Sequence, residues 1–199
     1  MGSDGVNTGR RRFLVAATST VGAAGVAGMA VPFVESWNPS ARARAAGAPV
    51  KFDISKMEPG QMVVVEWQGK PVYVVRRTSE QVADLEKLDG DLKDPDSRKS
   101  DQPAYAAERG RSIKPEILVL VGLCTHLGCT PKLRLEAGDA DLGGDEWLGG
   151  FFCPCHGSRF DLAGRVYADA PASENLVVPP YSYEDDQVIV IGVNEEAAA

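Results

Sequence analysis

The sequence predicts a mainly β fold, with antiparallel strands in two packed sheets that follow a single apolar helix. Runs of β-branched and aromatic residues recur from Val50 onward, separated by Gly, Pro and Asp. An uncharged stretch from Phe13 to Val34 is long enough to cross a bilayer as a helix. A chain of 199 residues accommodates one β-domain plus extensions, with a core that needs no metal to form.

The N-terminal segment joins a basic cluster to the apolar helix. Residues 10–14 (RRRFL) precede a Gly- and Ala-rich run and resemble a twin-arginine export signal, which carries folded proteins. We expect residues 1–12 to be a cytoplasmic tail and residues 13–36 to be a retained transmembrane anchor. The alternative is a cleaved signal, because residues 41–43 (ARA) resemble a small-residue cleavage site.

A hinge is predicted at residues 37–49, before the β-domain at residues 50–199. Asn38 and Pro39 are expected to end the helix. The small, lightly charged residues 41–48 are typical of a flexible or transiently helical linker.

Local patterns predict the elements of the β-domain. Residues 61–67 and 71–76 are β-rich runs that residues 68–70 join as a hairpin. Thr78 and Gln81 form a capping-box pattern that begins a short helix. The polar residues 89–112 are predicted to be an excursion on the surface. Further strands are predicted at residues 117–121, 151–152, 176–178 and 188–191, and near Leu133.

Two short loops carry the side chains suited to metal chemistry. All four cysteines and both histidines of the chain lie within residues 124–129 and 153–158. Each loop offers one thiolate and one imidazole in the same order, together with a further cysteine. Thiolates suit iron–sulfur clusters, and in one type of [2Fe–2S] centre two histidines replace two cysteines on one iron.

Three other interpretations compete at these loops. A zinc site uses the same ligand types, but the spacings C-x-H-x-x-C and C-x-C-H differ from those of structural zinc loops. Two structural disulfides suit an exported protein but leave both histidines unexplained. A Cys–His hydrolase needs only one thiol and one base.

At these loops the sequence resembles the Rieske family. The resemblance implies an antiparallel Rieske-type sandwich with a cluster-binding subdomain at about residues 122–171. It implies four ligands of one [2Fe–2S] cluster, with the cysteines on one iron and the histidines on the other: Cys124, Cys153, His126 and His156. It also implies a disulfide between the second cysteines of the two loops, Cys129 and Cys155.

The resemblance also implies residues that tune the cluster. Gly128 and Gly157 lie where a tight loop requires positive φ or a close backbone approach. Ser158 matches a serine whose hydroxyl bonds a bridging sulfide. Leu127 matches an apolar residue that covers the cluster and docks at the quinol pocket, and Pro171 matches the proline of a third loop over the cluster.

Phe160 marks a departure from the family pattern. Many high-potential relatives carry tyrosine two residues after the serine, and its hydroxyl donates to a ligating cysteine sulfur. Here the ring is kept and the hydroxyl is lost. A hydrogen bond to sulfur stabilises the more negative, reduced form, so we expect the reduction potential to be lower without it.

The cluster implies one-electron transfer, and the histidines add proton transfer. An imidazole exchanges a proton near neutral pH. By its match to the second loop of the family, His156 is the expected catalytic ligand that contacts the quinol.

Features outside the loops resemble the iron–sulfur subunit of proteobacterial ubiquinol–cytochrome c reductase. They are residues 76–78, 94–95, 102–103 and 111–113 and the long gap between the loops. A Rieske ferredoxin fits less well, because it lacks the disulfide pair and the export anchor. The closer alternative is the Rieske small subunit of arsenite oxidase, which is usually shorter.

This resemblance implies partners and a location. The partners are cytochrome b and a c-type cytochrome in a dimeric complex, ubiquinol, and the lipid bilayer. The expected location is the inner membrane, single-pass, with the N-terminus cytoplasmic and the Rieske domain periplasmic. A net charge of −7 argues against a nucleic-acid partner.

Overall fold

The structure, a computed structural model, describes residue 5 and residues 7–194. These include every residue that the sequence analysis assigns to the site. Part of the predicted tail, residues 1–4 and 6, lies outside the described residues, as do residues 195–199. The chain divides into two units, Met1–Ala45 and Ala46–Ala199.

A long helix, α1 (Thr8–Glu35), dominates the first unit. Its N-terminus is capped by Asn7, whose side-chain oxygen accepts the N–H of Arg10 at 3.1 Å. With 28 residues the helix is about 42 Å long, which exceeds the apolar thickness of a bilayer. Its side chains are exposed throughout. The prediction of one N-terminal apolar helix that could span a membrane is therefore confirmed.

The predicted hinge contains a second helix, α2 (Ala41–Ala46). The hydroxyl oxygen of Ser40 accepts the N–H of Ala43 at 3.1 Å and begins the helix. Its last carbonyl, that of Ala46, accepts the N–H of Gln68 at 3.1 Å. The helix covers six residues of the linker, or about 1.7 turns.

The second unit consists of short antiparallel strands, as the fold class predicts. Within the described residues they form three sheets of three strands, ordered β1-β9-β8, β2-β3-β4 and β5-β6-β7. The strands are β1 (Val50–Asp53), β2 (Met62–Trp67), β3 (Lys70–Arg76), β4 (Ile117–Val121), β5 (Lys132–Arg134), β6 (Gly150–Cys153), β7 (Ser158–Asp161), β8 (Tyr181–Tyr183) and β9 (Val188–Ile191). The third sheet carries the second loop between β6 and β7.

The β2–β3 hairpin and the helix after it follow the sequence signals. Gln68 and Gly69 have φ of 53° and 70°, and positive φ at both positions is the geometry of a two-residue hairpin turn. Thr78 and Gln81 form the predicted capping box at the start of α3 (Ser79–Asp84). After α3 the chain tightens into a 3₁₀ helix over Leu85–Asp91.

The core centres on β3 and β4. All five residues of β4 are buried, as its continuous apolar run predicts. In β3 the residues from Val72 to Val75 are buried as well. Because β4 leads directly into the first loop, the loop begins at the end of a buried strand.

The prediction of a strand at residues 176–178 is wrong. The strands that pair with β9 are instead β1 and β8. Leu176 donates its N–H to the carbonyl of Gly164 at 2.8 Å, whereas Val178 donates to the carbonyl of Asp101 at 3.2 Å. Because these N–H groups bond two different loops, no continuous ladder forms.

The predicted surface excursion, residues 89–112, is partly wrong as well. Asp94, Ser97 and Arg111 in this segment are buried. Polar composition alone suggested exposure, but polar groups can be buried when they are hydrogen-bonded. The carboxylate of Asp94 accepts hydrogen bonds from the backbone N–H groups of Arg98, Lys99 and Ser100.

A buried ion pair lies at the end of β7, in the third sheet. Arg165 Nε lies 2.7 Å from Asp161 Oδ2, and both side chains are fully buried. A second carboxylate, that of Asp89, lies 2.7 Å from Arg165 Nη1. These contacts tie the end of β7 to the 3₁₀ helix after α3.

Candidate metal centre

The first loop closes on itself after β4. The N–H of Cys124 donates to the carbonyl of Cys129 at 2.7 Å, and the N–H of Gly128 donates to the carbonyl of Cys124 at 2.8 Å. Gly128 has a φ of 78°, and an added Cβ would meet open space. The backbone angle, not crowding, is therefore what requires glycine here.

The second loop repeats this closure between β6 and β7. Cys153 and Ser158 pair across the hairpin, and the N–H of Gly157 donates to the carbonyl of Cys153 at 3.0 Å. Gly157 has a φ of 77°. In each loop a left-handed glycine four residues after the first cysteine thus returns the chain to that cysteine.

The first cysteines of the two loops meet in the interior. Cys124 and Cys153 are free thiols that are 3% and 1% exposed. Burial raises the pKa of the Cys153 thiol, and the neighbouring thiol of Cys124 adds to this effect, whereas the backbone N–H groups of Cys155 and His156 act in the opposite direction. A bound metal ion would supply the positive charge that deprotonates it.

The second cysteines are joined in a disulfide. Cys129 and Cys155 are bonded across a sequence separation of 26 residues, which ties one loop to the other. The sulfur of Cys153 and both disulfide sulfurs lie within 4.8 Å of one another. Disulfide sulfurs are not thiolates, so the cysteines that could bind iron are Cys124 and Cys153.

The two histidines, one from each loop, lie next to each other. The ring centroids of His126 and His156 are 4.8 Å apart, with the planes at 86°. His156 is exposed and His126 is partly buried. His126 Nδ1 is buried and has no hydrogen-bond partner among the described residues.

These groups fit a two-iron cluster with mixed ligands. A buried nitrogen without a partner is unfavourable by about 1–3 kcal/mol, and a metal ion would remove that penalty. Two soft sulfurs and two imidazoles on facing loops match the donor set of a Cys₂His₂ [2Fe–2S] centre.

Ser158 is in direct contact with residues 169–174, the segment around Pro171 that is called the third loop below. The hydroxyl oxygen of Ser158, fully buried, accepts the N–H of Ala172 at 3.1 Å. Pro171 is exposed between the buried Ala170 and Ala172. Because this bond uses a lone pair of the oxygen, the hydroxyl hydrogen of Ser158 stays available to an acceptor such as a sulfide.

The other two predicted tuning residues differ in exposure. Phe160 is fully buried in β7, opposite Phe151 of β6. Leu127 projects from the first loop and is 70% exposed, which makes it an apolar contact point beside His126.

The structure shows loop anchors that the sequence analysis did not assign. Thr125 Oγ1 donates to the carbonyl of Glu174 at 2.6 Å and ties the first loop to the third. Arg159 Nη2, in β7 just after the second loop, lies 2.7 Å from a carboxylate oxygen of Asp169 and ties β7 to the third loop. Thr125 lies inside a loop motif and Arg159 lies next to one, but the sequence did not reveal the partner of either residue.

Tyr73, a residue of β3, holds the segment that follows the first loop. Its hydroxyl donates to the carbonyl of Pro131 at 2.7 Å, and its ring stacks on Phe151 at 5.9 Å. An added Cβ at Gly122 would lie only 2.5 Å from the ring of Tyr73. The approach to the loop therefore requires glycine at that position.

Comparison with known proteins agrees with this geometry. Residues 49–182 match the Rieske [2Fe–2S] domain, and residues 1–40 match the "Ubiquitinol-cytochrome C reductase Fe-S subunit TAT signal". The chain is 58% identical to the ubiquinol–cytochrome c reductase iron–sulfur subunit of Allochromatium vinosum, over 100% of this chain and 95% of that protein. The chain belongs to the Rieske iron–sulfur subunits of ubiquinol–cytochrome c reductase.

A further sequence relative carries the same description, and a solved structure is also similar. The iron–sulfur subunit of Blastochloris viridis is 46% identical, over 96% of both chains. A chain of a hyperthermophilic respiratory complex III is 23% identical, with a TM-score of 0.47 over 87% of this chain and 98% of that one. The curated relatives give no support to the arsenite oxidase alternative.

Membership in this family defines the cofactor as one [2Fe–2S] cluster. Together with α1, it also indicates that the chain is anchored in a membrane.

Proposed function

We propose that this subunit takes electrons from ubiquinol, with release of protons, and passes them to a c-type cytochrome of the same complex. The observation that carries the proposal is the meeting of two buried thiols and two neighbouring imidazoles on disulfide-linked loops. The sequence relationship to reductase iron–sulfur subunits supports the choice of ubiquinol as the reductant.

The proposed ligands are the first cysteine and the histidine of each loop. Cys124 and Cys153 would bind one iron, and His126 and His156 would bind the other. The bound cluster accepts and releases a single electron. The backbone N–H groups of Cys155 and His156 favour extra negative charge on the sulfur of Cys153, which raises the potential.

The exposed histidine performs the proton step in this proposal. With one ring nitrogen of His156 on iron, the other can accept the hydrogen bond of a quinol hydroxyl and then its proton. His156 is exposed, so a quinol can approach it. The exposed side chain of Leu127 would contact the apolar wall of the quinol site.

The disulfide keeps the two loops together while the electron is transferred. It links Cys129 in the first loop to Cys155, which lies between Cys153 and His156. A fixed separation between the loops keeps both pairs of ligands in position, so little rearrangement is needed when the charge changes.

We also propose a membrane arrangement and partners. Residues 1–12 would be cytoplasmic, 13–36 the inner-membrane anchor, 37–49 a hinge, and 50–199 a periplasmic Rieske domain that includes the cluster-binding part at about 122–171. The basic residues before the apolar stretch support this orientation. The proposed partners are cytochrome b and a c-type cytochrome in a dimeric complex.

Electron paramagnetic resonance (EPR) of membranes that contain the full chain tests the ligands. We expect Cys124→Ser and His126→Gln to abolish the signal of the reduced cluster, because each removes a ligand. Cys129→Ser should leave a weaker and less heat-stable signal, because it removes only the link between the loops. A full-strength signal in Cys124→Ser would refute the ligand assignment.

The same membranes test the substrate. Ubiquinol should reduce the cluster in the wild-type complex, and a quinol-site inhibitor should block that reduction. Dithionite serves as the control, because it should reduce the cluster with or without the inhibitor. A cluster that dithionite reduces and ubiquinol does not would exclude the proposed function while leaving the ligand assignment intact.

A further inference from the structure

The third loop depends on support from outside its own sequence. Its backbone N–H at Ala172 positions Ser158, but the loop itself is a short irregular segment around one proline. The carbonyl groups of Ala170 and Ala172, one on each side of Pro171, both point to the same side chain. That side chain is Lys93, whose Nζ donates to the two carbonyls at 2.5 Å and 2.7 Å.

Lys93 is fixed by a backbone connection to the cluster-binding subdomain. Its own N–H donates to the carbonyl of Val166 at 3.0 Å, and Leu92 forms an antiparallel bridge with Tyr167. One step further, the N–H of Ala168 donates to the carbonyl of Asp91 at 2.8 Å. The segment at residues 91–93 therefore runs alongside residues 166–168.

The ammonium group makes these two bonds in place of an ion pair. In the part of the chain that the structure describes, no carboxylate lies within ion-pair distance of Lys93. Hydrogen bonds from a charged donor to neutral carbonyls are stronger than neutral ones. Because both carbonyls flank Pro171, the bonds restrain the loop on both sides of the proline.

A continuous path of hydrogen bonds thus leads to the cluster site. Lys93 holds the carbonyls of Ala170 and Ala172, and the N–H of Ala172 holds the oxygen of Ser158. Ser158 pairs with Cys153 across the β6–β7 hairpin. We propose that Lys93 is a positioning residue that keeps the third loop against Ser158 and so aligns the serine hydroxyl toward the cluster.

The proposal rests on the proposed cluster site and predicts a redox effect. An aligned hydroxyl favours the more negative, reduced form, so loss of alignment lowers the midpoint potential. Lysine could also raise the potential through its positive charge alone. The two explanations differ, because only the positioning role requires Ser158.

A double-mutant cycle in the full complex distinguishes the positioning role of Lys93 from an effect of its charge alone. Lys93→Met keeps a long apolar side chain and removes the ammonium. We expect it to lower the midpoint potential, measured by EPR-monitored redox titration, and to have no further effect in a Ser158→Ala background. Lys99→Met is the matched control: it removes the same charge from an exposed residue of the same segment and should leave the potential unchanged.

A second measurement does not depend on the cluster. Hydrogen exchange at the amide of Ala172 should accelerate in Lys93→Met and stay unchanged in Lys99→Met, while the amides of β4 keep their protection. If Lys93→Met fails to accumulate, Lys93→Gln, which removes the charge and stays polar, allows the same comparisons.

Two results would overturn the positioning role. Equal shifts of the potential with and without Ser158 would assign Lys93 a charge effect alone. Unchanged exchange at Ala172 would show that the loop does not depend on Lys93. Absence of an EPR signal in the wild type would instead refute the proposed cluster site, which the exchange measurement does not require.

Discussion

Single side chains around the two loops differ in what they can donate to the cluster. Ser158 is buried and has a hydroxyl hydrogen available, whereas Phe160, two residues later, is buried without any polar atom. The resemblance to Rieske proteins implies a tyrosine hydroxyl at the second position in many high-potential relatives. Of the two side-chain donors that the resemblance implies, this chain would therefore have only the serine.

At the residue scale we predict that Phe160→Tyr raises the midpoint potential and that Ser158→Ala lowers it. A hydrogen bond to a charged group contributes about 1.5–3 kcal/mol, which for one electron corresponds to roughly 60–130 mV at most. Redox titration followed by EPR measures the shift. Phe52→Tyr, which adds the same hydroxyl in β1, should leave the potential unchanged. An unaltered potential in Phe160→Tyr would contradict the tuning argument for this position.

At the element scale the segment at residues 89–112 supports the loops. Asn175 is fully buried. Its side-chain oxygen Oδ1 accepts the N–H of Val166 at 2.9 Å, and its Nδ2 donates to the backbone carbonyl of Asp94 at 2.9 Å. Ser100 Oγ accepts the N–H of Asn175 at 3.1 Å and donates to Asp94 at 2.8 Å. This polar cluster joins the segment to the part of the chain that precedes β8.

Asp94 carries the charge at the centre of that cluster. Burial alone would raise the pKa of its carboxyl, but the hydrogen bonds from Ser100, Lys99 and Arg98 outweigh burial and lower it. A group with a lowered pKa in the folded state stabilises the fold at pH values above its unfolded pKa of about 3.9. That stabilisation is lost as the pH falls through the folded pKa.

We therefore predict that Asp94→Asn reduces the free energy of unfolding by about 1–3 kcal/mol at pH 7. The difference from wild type should shrink as the pH falls below about 4, because the wild-type carboxyl then becomes protonated. Denaturation of the purified full chain at several pH values measures both effects. The control is Asp96→Asn, whose side chain is 66% exposed and pairs with Arg98 at 3.3 Å, and it should change stability by less than about 1 kcal/mol. A pH-independent difference would contradict the assignment.

At the scale of the whole molecule the chain consists of an apolar helix and a β-domain with its own core. The division between the two units falls at Ala45 and Ala46, inside α2. The resemblance to the family implies a soluble head that moves between the quinol site and the haem of a c-type cytochrome. The short connection here has the composition of a linker that permits such movement.

We predict that replacing residues 45–47 by three prolines slows turnover of the complex several-fold while the EPR spectrum stays unchanged. Proline stiffens the backbone and cannot continue the helical hydrogen bonds of α2. Replacement of the same residues by Gly-Ser-Gly, which keeps the linker flexible, should preserve turnover. Steady-state reduction of cytochrome c by ubiquinol is the measurement. Unimpaired turnover with three prolines would count against a moving head, as would a mature protein that begins after Ala45.

Local patterns in the sequence were sufficient for the core strands β2, β3, β4 and β9 and for the location of the candidate metal site, but not for β7 and β8. The β2–β3 hairpin and the capping box at Thr78 depend on interactions within a few residues, and β4 is a continuous apolar run, so their signals are visible in the chain itself. The cysteines and histidines occur only in the two loops, so their chemistry could be interpreted before any contact was known.

The errors arose where distant segments decide the structure. Residues 176–178 have the composition of a strand, but β1 and β8 occupy the two positions beside β9. Residues 89–112 have the composition of a surface loop, yet Arg111 is buried, where its guanidinium donates to the distant carbonyl of Ala163. A polar composition indicates that burial is unfavourable, but it does not reveal which partner compensates for burial of a charge.

The sequence by itself therefore determined the fold class, the membrane-length helix and the family, because these depend on periodicity, length and ligand spacing. Only the tertiary structure decided which groups support the site. The approach of Lys93 to the third loop spans 77 residues to Ala170, and the bond of Thr125 to Glu174 spans 49. A lysine or a threonine at these positions has no local signature, because its role depends on where folding places a distant carbonyl group.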